Sequence, residues 1–170
     1  MAGTDSSEDS ARHRREFGRC FEDFVVGHIY EHSPGRTISE ADNTWFSLQT
    51  MNQNPLHIDA SYCAWTEFGK PLVNSCLTLS ILVGLSVADV SGKAIANLGW
   101  DKIRLTAPVF AGDTIYAESE VIAARESESR PTQGIVTVRT TGKKSDGSEF
   151  MTFERTILVP KRGHAIGENP

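Results

Sequence analysis

The stretch VNSCLTLSILVGLSV, residues 73–87, contains no charged residue and is apolar on nearly every side of a helix. A helix with this pattern is surrounded by protein rather than lying on a surface. It is also shorter than the roughly 20 apolar residues that a membrane span requires. The stretch therefore predicts a buried helix around which other parts of the chain must fold.

The segments that flank this helix have the composition of strands. Four of them follow it and are rich in β-branched and aromatic residues, namely residues 94–105, 114–124, 134–144 and 149–159. Asp146-Gly147, between the last two, is a typical hairpin turn. An earlier segment, residues 21–32, predicts a first strand or a pair of short strands that ends at the turn-forming Ser33-Pro34-Gly35. Together these elements predict an α+β fold in which a curved antiparallel β-sheet wraps around a long central α-helix.

Two shorter helices are predicted between the first strand and the central helix. Ser39 is a candidate N-cap, so the first of them runs from about Glu40 to Met51. The second begins at another candidate N-cap and runs from Asp59 to Gly69. Their large apolar side chains are expected to pack in the core or against a pocket wall, as aromatic residues on a helical face commonly do. These side chains are Trp45, which shares one face of the first helix with Leu48 and Met51, and Trp65.

The composition is that of one globular domain. The chain has 170 residues, of which 39% are hydrophobic and 23% charged, and its formal net charge is -5. Nucleic acid is not expected as a partner, because the chain lacks a surplus of basic residues, and no membrane segment is predicted. The three cysteines lack metal-site spacing and follow no secretion signal, which indicates reduced thiols in the cytoplasm. We expect a disordered N-terminal tail over residues 1–18, one domain over residues 19–162 and a C-terminal tail over residues 163–170.

The loop MNQNPLH, residues 51–57, is the candidate site. Asn54-Pro55 favours a turn, because the residue before a proline is kept out of the helical region. Taken alone, this pair predicts only the end of a helix, and His57 is then explained as a hydrogen-bonded structural histidine. Asp59 is explained as a helix cap. Chemistry at this loop is therefore inferred from the motifs that accompany it.

These motifs occur in a fixed order along the chain. Asn-Pro-Leu-His at residues 54–57 follows a helix exit, Phe-Gly and Pro come next at residues 68–71, and PVFAGDT at residues 108–114 follows the buried helix. With this order the chain resembles the MaoC-like (R)-specific enoyl-CoA hydratases and dehydratases, which have the hot-dog fold. The resemblance covers residues 19–162. Within the family, EADNTWFSLQTMNQNPLH and NLGWDKIRL are most similar to a branch that hydrates itaconyl-CoA or mesaconyl-CoA.

The resemblance implies particular site residues. In the family motif D-x-N-P-x-H, the aspartate and the histidine hold the water that adds to the double bond. Here His57 matches the histidine, Asn54 matches the supporting asparagine, and Asn52 stands where the aspartate is expected. The family also binds the thioester oxygen with a main-chain N–H at the start of the central helix, usually at a glycine, and the matching pair here is Asn74-Ser75. A helix N-terminus presents free N–H groups whatever its side chains, so Ser75 is implied as the oxyanion donor.

Asn52 limits what this site can do. A carboxamide orients water but cannot take its proton near neutral pH, which leaves His57 as the base. Acid–base assistance contributes roughly 10²- to 10⁴-fold, so the loss of one of two groups yields a slow enzyme or a binder. In a second hypothesis, Asn52 determines the substrate specificity of the enzyme. A substrate with its own carboxylate beside the double bond, as in itaconyl-CoA and mesaconyl-CoA, would be repelled by an aspartate and hydrogen-bonded by an amide.

The sequence leaves three functions open. The first is a hydro-lyase that reversibly hydrates a short branched or dicarboxylic 2-enoyl-CoA to a 3-hydroxyacyl-CoA. The second is a noncatalytic acyl-CoA-binding protein, for which Asn52 is the positive evidence. The third, an acyl-CoA thioesterase, is disfavoured because residues 74–88 of the central helix carry no carboxylate. The resemblance implies no metal and no cofactor besides the CoA of the substrate, and the open edges of a lone sheet predict a homodimer or a higher homo-oligomer.

Overall fold

Five strands form one antiparallel sheet in the computed structural model, which describes residues 17–167. The strands are β1 (Ile29–Thr37), β2 (Ala96–Leu105), β3 (Thr114–Glu126), β4 (Gln133–Lys144) and β5 (Glu149–Pro160). Their order across the sheet is β1-β3-β4-β5-β2, so β1 and β2 are its two edges. With the helix packed on it, this sheet makes the hot-dog fold, and the predicted α+β class is confirmed.

The four later strands form where their patterns predict them. On the buried face of the sheet, Val121 of β3 lies directly opposite Val138 of β4, and neither side chain is exposed. The connection from β4 to β5 turns at Gly147, whose φ of 84° is a left-handed conformation that glycine adopts without steric cost. The Gly147 N–H donates to the carbonyl oxygen of Lys144 at 2.9 Å. The hairpin predicted from Asp146-Gly147 is therefore confirmed.

The central helix, α4 (Ser75–Leu85), packs against β1 and β3. It begins at Asn74, whose side-chain oxygen accepts the N–H of Cys76 at 3.0 Å and so caps the helix. Its buried side joins Leu77 and Leu82 to the main core cluster. One stripe of the helix is exposed, at Cys76, Ser80 and Gly84. The expectation of a helix buried on every side is therefore wrong for the single chain, because the sheet covers only part of its circumference.

The first strand differs from the prediction. Residues Phe21–Asp23 form a short 3-10 helix, and β1 runs through Ser33-Pro34-Gly35 instead of ending there. A register shift in the pairing with β3 accommodates these residues as a bulge. Glycine is required at the third of them, because a side chain at Gly35 would collide with the ring of Tyr116. The predicted turn is therefore wrong, since pairing with the neighbouring strand outweighs the local turn preference.

The first predicted helix, α1 (Glu40–Gln49), begins at its expected cap and ends two residues before Met51. The hydroxyl of Ser39 accepts the N–H of Asp42 at 3.1 Å. In return, the N–H and the hydroxyl of Ser39 bind the Asp42 carboxylate, which holds the pKa of that carboxyl below its ordinary value. The buried positions of α1 are the polar Asn43 and Ser47.

The apolar side chains of this region point away from the core. Their exposed fractions are 66% for Trp45, 55% for Leu48, 82% for Met51 and 92% for Trp65. A core position is therefore wrong for Trp45 and Trp65 within residues 17–167, and Trp45 instead lines a surface pocket with Phe46 and Leu77. A periodic pattern identifies an apolar face but does not say what covers it.

The second predicted helix is shorter than expected and is preceded by another. The structure has α2 (Pro55–Ile58) and α3 (Ala60–Cys63) in place of one helix over residues 59–69. Asp59 is the cap of α3, as predicted, because its carboxylate accepts the N–H of Tyr62 at 2.9 Å. The chain after α3 continues as turns, and Gly69 has a φ of 66°.

Of the two predicted tails, residues 1–16 and 168–170 lie outside the described range. Within that range, the Gly18 N–H donates to the carbonyl oxygen of Ala88 at 2.8 Å, and Ala165 is buried. The domain boundaries stay predictions. Among residues 17–167, no helix is both long and apolar enough to cross a bilayer.

Candidate active site

The end of α1 sets the position of Asn52. The Met51 N–H donates to the carbonyl oxygen of Leu48 at 3.1 Å, and the Asn52 N–H donates to that of Ser47 at 2.8 Å. Met51 itself has a φ of 56°. This is the Schellman arrangement, in which a residue in the left-handed conformation closes a helix. Asn52 is therefore the residue directly after this closing turn and is fixed there by its backbone N–H.

The next residues form α2, so the candidate loop contains one helical turn. Asn54 is its N-cap, because its side-chain oxygen accepts the N–H of Leu56 at 3.0 Å. Pro55 occupies the first helical position, where its missing N–H costs nothing. The Asn54 N–H in turn donates to the side-chain oxygen of Asn52 at 3.1 Å. The predicted supporting role of Asn54 thus takes the form of a cap that begins the turn carrying His57.

A buried thiol supports this turn from the core side. The sulfur of Cys63 lies 3.5 Å from the carbonyl oxygen of Pro55 and 3.4 Å from that of Leu56. Burial raises the pKa of the Cys63 thiol, so it stays protonated and can donate to these oxygens. Cys63 is therefore a structural group of the site.

The imidazole of His57 is oriented by a backbone carbonyl. Its Nδ1 lies 3.0 Å from the carbonyl oxygen of Leu72. Because a carbonyl can only accept a hydrogen bond, Nδ1 carries the proton and Nε2 of the neutral ring carries a free lone pair. This is the tautomer that a general base requires at Nε2.

Asn43 connects the same carbonyl to its surroundings. Its side-chain N–H₂ donates to the carbonyl oxygens of His57 at 2.9 Å and Leu72 at 3.0 Å. Its side-chain oxygen accepts the N–H of Asn74 at 2.8 Å. Asn43 is 4% exposed. Nothing in the sequence pattern singles it out, because an asparagine in the first turns of a helix normally faces water.

The N-terminus of α4 presents one free donor. The N–H of Cys76 is bound by the side chain of Asn74, and the N–H groups of Leu77 and Thr78 reach the Asn74 carbonyl oxygen at 3.0 and 3.2 Å. Among the hydrogen bonds of residues 17–167, none uses the N–H of Ser75. A free N–H at the positive end of a helix dipole is suited to bind a carbonyl oxygen that gains negative charge.

His57 and Ser75 line one cavity of about 390 Å³. Its volume lies within the range of ligand pockets, and apolar side chains form most of its wall. The other lining residues are Phe68, Leu72, Val73, Thr78, Leu105, Thr106, Ala107, Pro108, Val109 and Phe150. The cavity therefore offers an apolar chamber with one basic nitrogen and one helix N-terminus on its wall.

Two of the predicted site residues line the cavity, and two others cap the helices that carry them. His57 and Ser75 line the cavity, whereas Asn54 and Asn74 act as caps of α2 and α4. Asn52 is partly buried and is not among the residues that line this cavity. The assignment of a catalytic function to any of the five stays a prediction.

A second cavity of about 240 Å³ lies on another side of His57. Unlike the first, it has charged residues in its wall, Glu40 and Lys70, together with Asn43 and Thr44. The ammonium of Lys70 lies 4.4 Å from the ring centre of Phe110. Within residues 17–167, no group of three or more His, Cys, Asp or Glu side chains is arranged to hold a metal ion.

The sequence matches a family model described as mesaconyl-CoA hydratase over residues 5–168. A mesaconyl-CoA hydratase of Haloarcula marismortui is 32% identical over 161 residues, which are 91% of this chain and 45% of that protein. An (R)-specific enoyl-CoA hydratase of Aeromonas caviae is 33% identical over 115 residues, 68% of this chain and 81% of that protein. The chain spans about half the length of the mesaconyl-CoA hydratases that it matches.

A solved structure shows the same architecture. It is a putative MaoC domain protein dehydratase from Chloroflexus aurantiacus, superimposed with a TM-score of 0.84 at 28% sequence identity. The superposition covers 94% of this chain and 44% of that one. The similarity therefore extends over nearly the whole described chain.

Proposed function

Because the chain belongs to the mesaconyl-CoA hydratase family of MaoC-like hot-dog proteins, we propose that it reversibly hydrates a 2-enoyl-CoA thioester to a 3-hydroxyacyl-CoA. The observation that carries this proposal is the shared cavity of His57 and Ser75. The wall of this cavity offers a base whose lone pair is free and a helix N-terminus whose first N–H has no partner among residues 17–167. The apolar lining of the cavity suits an acyl chain.

In the proposed reaction, water adds across the double bond of the enoyl group. Nε2 of His57 takes one proton of the water while its oxygen bonds to C3. The electron pair of the double bond moves toward the thioester, and the resulting enolate oxygen is held by the N–H of Ser75 and the α4 dipole. His57 then returns the proton to C2. Dehydration is the same path in reverse, and no cofactor besides the CoA of the substrate takes part.

The proposed acyl group is short and branched or dicarboxylic, as in mesaconyl-CoA or itaconyl-CoA. The Haloarcula relative is a mesaconyl-CoA hydratase by name, and Asn52 replaces the aspartate of the family motif. An amide near the double bond does not repel a substrate carboxylate, whereas an aspartate would. In this proposal Asn52 orients the water or the carboxylate, and His57 is the only base.

We also propose that two copies pair through β2. This strand is an edge of the sheet, and an exposed apolar edge is a template for pairing. Its exposed apolar side chains are Leu98, Trp100, Ile103 and Leu105. Leu105 also lines the cavity of His57 and Ser75, so a second copy at this edge would complete the wall of that cavity. The partners proposed are thus an acyl-CoA and a second copy of the chain, and a cytoplasmic location stays a prediction.

An absorbance assay with enoyl-CoA esters tests the proposed reaction. Hydration removes the absorbance of the conjugated thioester without releasing thiol, and the same equilibrium is reached from the 3-hydroxyacyl-CoA. Hydrolysis would instead release free CoA, which a thiol reagent detects. A noncatalytic acyl-CoA-binding protein, the alternative that Asn52 supports, would bind the ester and change neither its absorbance nor the amount of free thiol. Either of the last two results would contradict the proposal.

A further inference from the structure

The side chain of Asn43 makes three hydrogen bonds, each to a different segment of the backbone. Its two N–H donors reach the carbonyl oxygens of His57 and Leu72 at 2.9 and 3.0 Å, and its oxygen accepts the N–H of Asn74 at 2.8 Å. Burying an amide costs free energy unless it is hydrogen-bonded, and here each partner is a buried or part-buried backbone group. Asn43 thereby joins α1 to α2 and to the start of α4.

Two groups of the proposed reaction depend on these bonds. The carbonyl oxygen of Leu72 accepts from the side chains of both Asn43 and His57, so its two lone pairs have two defined donors. That carbonyl sets the tautomer of His57. The third bond holds the N–H of Asn74, the residue directly before Ser75. One carboxamide therefore fixes both the orientation of the base and the backbone that presents the oxyanion donor.

We propose that Asn43 is the positioning residue of this site: it holds His57 in the tautomer with a free Nε2 and sets the distance between His57 and the N–H of Ser75. This inference rests on the proposed hydratase function. No covalent bond to Asn43 forms or breaks in the reaction. Asn43 acts through Leu72, His57 and Asn74.

The chemistry of the contacts requires an amide. An aspartate has the same shape but offers no donor, and its carboxylate would face two carbonyl oxygens. A serine keeps one hydroxyl and is too short to span all three partners. A displacement of about 1 Å between reacting groups costs up to roughly 100-fold in rate, even where substrate binding is retained. Asn43 is not itself among the residues that line the apolar cavity, which in this proposal binds the acyl chain.

The experiment compares Asn43→Asp and Asn43→Ser with a control that loses another buried hydrogen bond. Thr140→Val is that control, because the Thr140 hydroxyl is fully buried and lies 2.8 Å from the Ser119 hydroxyl, away from the site. We expect kcat per folded molecule to fall roughly 10- to 100-fold in both Asn43 variants, while KM changes less than about threefold. Thr140→Val should lose stability and keep kcat. Equal kcat in all folded variants would overturn the proposal.

A spectroscopic readout tests the same inference without turnover. The ¹⁵N chemical shifts of an imidazole show which ring nitrogen carries the proton, and His57→Gln identifies the signals of His57. In the wild-type protein we expect Nδ1–H and an unprotonated Nε2 in the neutral ring, and in the Asn43 variants a mixture of tautomers. A wild-type ring with the proton on Nε2 would overturn the proposal even if neither variant folds.

The two readouts separate the possible failures. If the wild-type protein hydrates no enoyl-CoA but the tautomer of His57 depends on Asn43, the proposed reaction is wrong and the positioning function stands. If the wild-type protein is active and the folded Asn43 variants keep its kcat and tautomer, the positioning function is wrong and the reaction stands.

Discussion

The side-chain oxygen of Asn52 accepts a hydrogen bond from the backbone N–H of Asn54 at 3.1 Å. A carboxylate oxygen at the same place would accept the same bond. The loop geometry is therefore compatible with either an amide or an acid at residue 52, and the choice between them concerns chemistry rather than folding.

From this relationship we expect Asn52→Asp to fold normally and to change substrate preference. The new carboxylate adds a proton acceptor to the loop that carries His57 and, in the proposed site, repels a substrate carboxylate. Activity on crotonyl-CoA should rise, and activity on a dicarboxylic enoyl-CoA should fall, so that the ratio of the two kcat/KM values shifts by about tenfold or more. An unchanged ratio would remove residue 52 from substrate discrimination.

His57→Gln should abolish most of the hydration. Glutamine cannot take a proton from water, so we expect kcat/KM to fall roughly 10²- to 10⁴-fold while acyl-CoA binding, measured by calorimetry, persists. His28→Gln is the matched control, because His28 is exposed and lies outside the cavity wall. Turnover retained in His57→Gln would show that another group is the base.

Leu98→Lys should weaken the proposed dimer. Leu98 is on the edge strand β2 and 52% exposed, and a buried ammonium at a strand-to-strand interface is unfavourable. Light scattering after gel filtration should report a larger monomer fraction at the same protein concentration. Val26→Lys is the control, since Val26 is 58% exposed but lies away from β2. If Leu98→Lys and Val26→Lys have the same average molecular mass, the interface lies elsewhere.

His32 should make stability depend on pH. Burial lowers the pKa of its imidazole, while Asp89 at 3.0 Å and Glu118 oppose that shift and Arg155 adds to it. The unfolded chain then binds the proton more readily than the folded one, so the contribution of neutral His32 is present above the ordinary pKa of about 6.5 and is lost as the pH falls below it.

The slope from this one group reaches at most about 1.4 kcal/mol per pH unit. Urea unfolding at pH 7.5 and 5.5 measures it. His32→Gln should be less stable at the higher pH but should lose less stability between the two values than the wild-type protein does, whereas His28→Gln should match the wild type. Identical losses in His32→Gln and the wild type would contradict the assignment.

Met51→Gly should be tolerated and should stabilise the chain slightly. Met51 is 82% exposed and has a φ of 56°, where a side chain costs about 1–2 kcal/mol and glycine costs nothing. The greater freedom of glycine in the unfolded state offsets about 0.5–1 kcal/mol of that gain. We expect a net increase of up to about 1 kcal/mol in the free energy of unfolding. Gly112→Ala, at a φ of 95°, should have the opposite effect, and a loss in both would show that Met51 makes a contact in the assembled protein.

The elements that could be predicted are those defined by short-range rules. Caps at Ser39 and Asp59, the Gly147 turn and the four later strands follow from local preferences and periodicity, and the structure has them. The resemblance also placed His57 and Ser75, which the fold brings to one cavity. These residues could be named because their motifs can be recognised in the amino-acid sequence alone.

The elements that could not be predicted depend on partners distant in sequence. β1 continues through Ser33-Pro34-Gly35 because β3 pairs with it, and Trp45 is exposed because no element within residues 17–167 lies over it. The contacts of Asn43 could not be predicted for the same reason, because its hydrogen-bond partners lie 14, 29 and 31 residues away in the sequence. No local pattern records such contacts.

By itself the sequence determined the fold class, the family and the residue types of the candidate site, because these depend on apolar periodicity, cap and turn preferences, and short motifs that occur in a fixed order along the chain. Only the tertiary structure decided which nitrogen of His57 is free, that Ser75 lines the same cavity, and which buried side chain binds the backbone beside both. The physical reason is that a hydrogen bond is defined by distance and direction in space, and the carbonyl of Leu72 that sets the tautomer lies 15 residues from the histidine that it orients.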